Sequence, residues 1–314
     1  MRVRTIVVCL VLFLVVACTP GEQDGQALDL KSPFIGGTTG LQVNFQSLRK
    51  DVFDGGRDPF DVVIRVDNKG EAAVKKEDVR VRLTGINPAE FSKLEEQVVK
   101  TADDDILESR LDPAGTVLPA PPAVVEFSGL NHFAPIQGAS ATFPLRAEVC
   151  YTYQTKAVSK VCVRGNILNP PEGGICNINE NKQVFNSGAP VQIENFQESA
   201  RAKDKIGFSF DVKQRGTGEV FEKRSRCDRT QRKNEDRVYV IVDSRIAGLT
   251  CTGLQSSGTK AEGFVTLFDD TKLITCTQPI TSKSDFEQVV SIEATYDYEE
   301  FAQTEITVKS SGPQ

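Results

Sequence analysis

Two stretches of this 314-residue chain match each other at a constant spacing, and that internal repeat constrains the fold more than any other feature. Glu148-Val149-Cys150-Tyr151-Thr152-Tyr153 returns 145 residues later as Glu293-Ala294-Thr295-Tyr296-Asp297-Tyr298, and Val161-Cys162-Val163 returns as Ile306-Thr307-Val308. Upstream, at an offset of 146, Phe60-Asp61-Val62-Val63-Ile64-Arg65-Val66 runs alongside Ile206-Gly207-Phe208-Ser209-Phe210-Asp211-Val212. Both alternate apolar and polar residues, and both run into a polar turn, Asp67-Asn68-Lys69-Gly70 and Lys213-Gln214-Arg215-Gly216. Such alternation, closed by Asn or Gly, is the pattern of a half-buried strand entering a turn. Leu41-Gln42-Val43 resembles Val191-Gln192-Ile193 at offset 150. The chain holds two copies of one module.

The offsets also place the insertions. Val79, Val81 and Leu83 behind Glu77-Asp78 correspond to Val238, Val240 and Val242 behind Glu235-Asp236, now at offset 158. Copy two therefore carries about a dozen extra residues around 224–234, and copy one recovers the length in a Pro/Ala-rich stretch at 112–123. Loops that vary while strands keep step are expected of a β-sandwich. One helix signal stands out: Asn87 as N-cap, Pro88 at the first position and Glu90 at the third predict about two turns ending near Gln97. The predicted fold is all-β, two tandem immunoglobulin-like sandwiches at 40–165 and 190–310. They are joined by a linker at 166–189 that contains Pro170-Pro171 and Gly173-Gly174.

The N-terminus reads as an export signal. Arg2 and Arg4 precede a mostly apolar run from Ile6 to Ala17, well short of the ~20 residues a spanning helix needs. Val15-Val16-Ala17-Cys18 resembles a lipobox. The resemblance implies cleavage of a signal peptide at 1–17, lipidation of Cys18, and a flexible tether at 18–39. The expected location is the outer face of the cytoplasmic membrane, held there by the lipid. Cleavage removes two arginines and no acid, so 37 basic residues become 35 against 43 acidic, and the formal charge moves from −6 to −8. That charge argues against nucleic acid as a partner.

Six cysteines remain after Cys9 in the signal and Cys18 at the lipid site. An even number in an exported chain reads as disulfides, and the absence of a CxxC pair argues against zinc. A hairpin centred at Lys156 would set Cys150 opposite Cys162, where copy two has Thr295 and Thr307. The expected bonds are Cys150–Cys162, Cys251–Cys276 and, linking the linker to the copy-two insertion, Cys176–Cys227.

The strand ending in Val66-Asp67-Asn68-Lys69-Gly70, followed by Glu77-Asp78-Val79-Arg80-Val81-Arg82-Leu83-Thr84-Gly85, is similar to the opening of CARDB-type and related immunoglobulin-like modules of prokaryotic surface proteins. The tandem arrangement behind a lipobox also resembles archaeal-type surface lipoproteins. The resemblance implies adhesion, spacing or assembly, and it brings no catalytic residues.

Candidate chemistry is sparse. Lys223, Arg224, Arg226, Arg229, Arg232 and Lys233 form a basic cluster, continued by Arg237, in an acidic chain. They make a candidate surface for an acidic protein or polyanionic ligand, set against an ordinary solvated loop diluted by Asp228, Glu235 and Asp236. Asp51, Asp54, Asp58 and Asp61 around Gly55-Gly56 have the oxygens for calcium but not the spacing of an EF-hand, and they read as turn acids. Asp269-Asp270 reads as a tight turn between Leu267 and Leu273. The only histidine, His132, lacks a nucleophile pattern, and no G-x-S-x-G or phosphate-binding loop occurs. The functional expectation is a non-enzymatic surface protein with no metal, cofactor or catalytic residue. The rivals are an accessory subunit presenting the 224–233 loop to a membrane complex, and a secreted hydrolase working through carboxylates alone.

Overall fold

The computed structural model describes residues 31–169 and 174–312. The signal peptide, Cys18, the tether up to residue 30, and Pro170, Pro171 and Gly173 of the linker lie outside them. Copy one supplies β1 (Leu41–Gln46), β2 (Asp51–Phe53), β3 (Phe60–Asn68), β4 (Val79–Thr84) and β5 (Val99–Lys100). The short β6 (Arg110–Leu111) and β7 (Val117–Leu118) follow, then β8 (Ala123–Leu130) and β9 (Ser140–Val163). Copy two begins with β10 (Glu180–Asn181), β11 (Phe185–Asn186), β12 (Val191–Ala202), β13 (Lys205–Gln214), β14 (Glu219–Phe221) and β15 (Arg237–Asp243). It ends with β16 (Thr250–Cys251), β17 (Gln255–Ser257), β18 (Lys260–Thr266), β19 (Thr271–Pro279) and β20 (Phe286–Lys309).

The protein is all-β and layered like a sandwich. One small sheet, β1-β3-β8, belongs to copy one, and another, β10-β12-β13-β19-β16, to copy two. Both pack on the same face of a large sheet ordered β17-β18-β15-β20-β9-β4-β5, which carries strands from both copies. The two upstream strands of the repeat, β3 and β13, alternate buried and less buried residues as their sequences require. The helix signal at Asn87 yields two short 3-10 turns, Pro88–Phe91 and Glu95–Val98. Asn87 caps the first by accepting the Ala89 N–H at 3.2 Å, and Ser92 in the left-handed region (φ 57°) then breaks the run. Asp269 and Asp270 (φ 52° and 60°) form the expected turn, although β18 and β19, which it joins, lie in different sheets. Among the described residues no helix is long and apolar enough to cross a membrane.

The predicted hairpin at Lys156 does not form. β9 is a single strand of 24 residues, and each of them pairs with a residue of the 24-residue β20, antiparallel from Ser140↔Lys309 to Val163↔Phe286. The physical reason is visible in Gln154-Thr155-Lys156-Ala157, which has no Gly, Asn or Pro to reverse the chain. Alternation of buried and exposed positions continues straight through it. Odd-numbered β9 residues face the core and even-numbered ones face outward, so Cys150 and Cys162 share the outer face. At ~3.3 Å per residue they stand roughly 40 Å apart, far beyond disulfide reach. The pairing is instead Cys150–Cys227 and Cys162–Cys176, with Cys251–Cys276 as expected. The first two bonds each fasten a crossing segment onto the outer face of β9: the copy-two insertion and the linker.

The repeat itself acquires a geometric meaning. Thr152 and Asp297, equivalent residues of the two copies 145 apart, pair directly across β9 and β20, so a local two-fold axis passes between them. On the core side the two Tyr-x-Tyr motifs meet there, with Tyr151 5.5 Å from Tyr153 and 5.9 Å from Tyr298 between ring centroids. Each hydroxyl reaches back into the small sheet or turn of its own copy. Tyr151 accepts the Leu41 N–H at 3.0 Å, and its equivalent Tyr296 accepts the Val191 N–H at 3.1 Å. Tyr153 donates to Asn68 at 2.9 Å beside Gly70, while Tyr298 accepts the Gly218 N–H at 2.7 Å beside Gly216. Burial pushes the ionisation of all four phenols upward, keeping them neutral hydrogen-bonding groups.

Candidate functional site

The copy-two insertion folds over the outer face of the large sheet, at the junction of the copies. β14 and β15 lie end to end along one edge of β20, and residues 222–236 loop out between them. Three fixings hold that loop. The Cys150–Cys227 disulfide is one. The second is Asp297, whose buried carboxylate accepts the Arg224 N–H at 2.9 Å, the Arg226 N–H at 2.7 Å, the Ser225 hydroxyl at 3.4 Å and the Thr152 hydroxyl at 2.7 Å. Burial raises the Asp297 carboxyl, and these donors work against the shift. The third is an ion pair from Arg229 to Glu299 at 3.2 Å, shared with Glu219. Arg224, Arg226 and Cys227 all adopt left-handed backbone (φ 66°, 57° and 52°), which costs roughly 1–2 kcal/mol per non-glycine residue and persists where surroundings over-determine it.

Two open cavities flank the disulfide, of about 420 Å3 and about 750 Å3. Arg80, Cys150 and Arg226 line both. Arg82, Glu148, Asp228, Arg229 and Glu299 complete the polar wall of the smaller, while Arg224, Lys100, Glu77, Asp78 and Asp103 contribute to the larger. Together they form a groove with one wall from copy one and the other from copy two. β4 supplies the copy-one wall because Val79, Val81 and Leu83 point into the core and leave Arg80 and Arg82 outside.

The basic residues of the loop divide. Lys223 lies 3.1 Å from the Tyr239 ring centroid, where burial lowers its pKa. Arg237 pairs with Glu222 at 2.6 Å, and Arg229 is taken up by Glu219 and Glu299. Arg232 and Lys233 sit exposed on a 3-10 turn outside both cavities. Arg224 and Arg226 face the groove. Among the described residues neither they nor Arg80 and Arg82 have an ion pair or a side-chain hydrogen bond. The Arg80 pKa is lowered by burial, then by the charges of Arg82 and Arg226, and only partly restored by Glu299 and Asp228. Arg80 and Arg82 stand in the Val-Arg-Val-Arg strand, whose alternation already places both on the outer face. Nothing in the chain indicates that the insertion would fold across them.

The carboxylates of the smaller cavity are engaged. Glu148 pairs with Arg146 at 3.2 Å, and Glu299 with Arg229. The Glu299 carboxyl is raised by burial, opposed by Arg229 and reinforced by Glu148. The other candidate acids do not converge. Asp54 accepts from Ile136 and Ser311, Asp58 pairs with Arg49, Asp61 accepts the Gly129 N–H, and Asp51 pairs with Lys309. Among the described residues no three His, Cys, Asp or Glu side chains gather as metal ligands. His132 is buried between Phe91 and Phe143, with ring centroids 5.1 and 5.3 Å away.

No protein-family model matches this sequence, and no curated protein matches it.

Proposed function

We propose that the chain is a non-enzymatic lipoprotein of the outer face of the cytoplasmic membrane, made of two CARDB-like, immunoglobulin-like sandwiches, that recognises an anionic partner through the inter-copy groove. The observation that carries this reading is the set of four arginines that have no ion pair or side-chain hydrogen bond among the described residues: Arg80 and Arg82 on β4, and Arg224 and Arg226 on the strained and triply anchored loop. Cations clustered in a concavity with their donors unfilled raise the local concentration of an anionic ligand and speed its arrival. The lipobox at Cys18 supports the anchoring, and the three disulfides suit an oxidising compartment. Whether the partner is another surface protein or a membrane complex served by this chain, the groove is the surface offered.

Two measurements test the reading. Replacing Cys18→Ser abolishes metabolic lipid labelling and releases the protein from membranes, and unchanged retention and labelling would overturn the anchoring. Cross-linking on intact cells followed by capture identifies a partner lost in the Arg224→Gln, Arg226→Gln double variant; capture indifferent to that change moves the binding surface elsewhere.

A carboxylate-dependent hydrolase draws on Glu148 and Glu299 sharing the smaller cavity, one with its carboxyl raised. Both are bound in ion pairs to arginine, which favours a charge-balanced wall over an acid–base pair. Hydrolysis of an acidic glycan by the wild type and its loss in Glu299→Gln would establish the enzymatic reading instead.

A further inference from the structure

The ligand chemistry of the groove follows from its geometry, and the argument rests on the anionic-partner reading above. We propose that Arg80 and Arg226, supported by Arg82, form a site for one compact tetrahedral oxyanion, a phosphate or sulfate monoester group carried by the partner. The two central guanidinium groups come from different copies: Arg80 from β4, Arg226 from the insertion. Each lines both cavities, as does Cys150, so they stand where the two adjoin.

Three features select this class. Guanidinium offers a planar fork of donors that matches two oxygens of a phosphate or sulfate. Among the described residues no side chain fills those forks: Glu299 pairs with Arg229, Glu148 with Arg146, and Asp228 accepts the Thr230 hydroxyl at 2.7 Å, while Glu77, Asp78 and Asp103 line only the larger cavity. The remaining like charges repel one another, and a bound dianion removes that repulsion while being held by it. Finally, the site is pre-shaped. The Arg226 backbone is pinned by Asp297 and the neighbouring disulfide before any ligand arrives, so binding has only the exposed side chain left to order. Glu148, Asp228 and Glu299 in the wall of the smaller cavity limit the anion to a single compact head group, since a broad carboxylate-rich surface would meet them.

The source of the head group is either the phosphate of an anionic lipid or a soluble phosphate or sulfate ester, and one experiment separates them. The full chain, folded with its disulfides intact, is titrated with inorganic phosphate and with sulfate, at constant ionic strength against chloride. The expected result is a saturable rise in Tm with both oxyanions and none with chloride. Arg80→Gln and Arg226→Gln each weaken the response about tenfold or more, Arg80→Lys weakens it less, and Arg232→Gln, outside the groove, leaves it unchanged. Non-reducing peptide maps and ligand-free Tm values confirm that the variants remain folded. No response in the wild type, or an equal response in Arg80→Gln and Arg226→Gln, overturns the proposal.

The second arm uses the Cys18→Ser full chain and vesicles of phosphatidylglycerol or of phosphatidylcholine. Binding to the anionic vesicles that Arg80→Gln abolishes assigns the site to lipid phosphate. Phosphate binding without vesicle binding assigns it to a soluble ester. Vesicle binding that ignores Arg80→Gln but is lost in Arg232→Gln, Lys233→Gln overturns the site in favour of the exposed turn. If phosphate binds as expected while cross-linking finds no surface partner, the oxyanion site stands and the partner reading falls. The reverse outcome separates them the other way.

Discussion

At the scale of single residues the repeat is an economy of hydroxyl groups. In each copy a tyrosine on a long strand lies against a glycine where the preceding strand turns. A Cβ added at Gly70 would come within 2.2 Å of the Tyr153 Oη and 2.3 Å of the Gly188 carbonyl. One added at Gly216 would come within 2.2 Å of the Tyr298 Oη and 2.7 Å of Pro190. Gly216→Ala should therefore cost about 1–3 kcal/mol by overpacking. Tyr298→Phe removes the clashing oxygen, so the double variant should lose less than the two single losses combined, with a coupling of at least about 1 kcal/mol. Urea unfolding of the four proteins in that cycle measures it, and strict additivity would show that the hydroxyl and the glycine do not touch. Asp297 is the second such residue. Asp297→Ala strands the Arg224 and Arg226 N–H groups, each worth about 1–3 kcal/mol if left unpaired. Hydrogen exchange should then accelerate at 222–236 and not in the core strands. Gly70 and the Tyr-x-Tyr pairs were legible in the sequence as separate marks. Their meeting was not, because it joins residues about 80 apart through a sheet pairing that no local pattern encodes.

At the scale of elements, strand positions and facing were readable wherever side chains alternated, and partner choice was not. The alternation through β9 is continuous, yet two cysteines twelve residues apart suggested a hairpin because proximity in sequence stood in for proximity in space. The structure pairs each with a segment crossing the outer face. The Cys150–Cys227 bond spans 77 residues and the Cys162–Cys176 bond 14. The chain-entropy argument gives about 4–5 kcal/mol for the first and about 3 kcal/mol for the second. Non-reducing peptide mapping should recover Cys150 with Cys227, and the Cys150→Ser, Cys227→Ser variant should lose more stability than Cys162→Ser, Cys176→Ser. A Cys150–Cys162 peptide would overturn the register of β9. Strands β20 and β12 carry a pH dependence. Burial raises the Glu300 carboxyl on β20 to about 7, and it has no hydrogen-bond or ion-pair partner among the described residues. Burial likewise raises Glu198, which accepts the Cys162 N–H and lies 3.4 Å from Lys182, to about 8. Each carboxyl holds its proton in the folded state longer than in the unfolded chain. Their contribution is complete below about pH 4.5 and is lost as pH rises through 7 and 8. In phosphate-free buffers Tm should fall from pH 5 to pH 8.5, with a shallower fall in Glu300→Gln. A slope unchanged by that substitution would exclude Glu300 as its source.

At the scale of the whole molecule the two copies are not beads on a string. The N-terminal half of β9 and the C-terminal half of β20 lie in the sandwich of copy one, where β4 and β2 pair with them. The other halves lie in the sandwich of copy two, against β11 and β15. Ile306 and Val308, close to the end of the chain, are fully buried and share a core with Val52 of copy one. Withholding them would expose apolar surface worth about 1.5–3 kcal/mol per side chain, on top of the lost ladder between β9 and β20. That is comparable with the entire margin of a domain. Copy one therefore cannot complete its sheet until the last strand of copy two has formed, and folding must close a loop of well over a hundred residues to do so. The full chain should unfold in a single transition, with calorimetric and van't Hoff enthalpies equal. A chain ending at residue 285, which lacks β20, should show neither the exchange protection of β1, β3 and β8 nor a cooperative melt. Two resolved transitions in the full chain, or a folded copy one in the shortened chain, would show that each sandwich closes on its own. The groove depends on the same shared sheet, since Arg80 and Arg226 meet only if β9 and β20 hold the copies in one register. A chain that melts in one step should therefore lose its oxyanion response at the same temperature as its sheet.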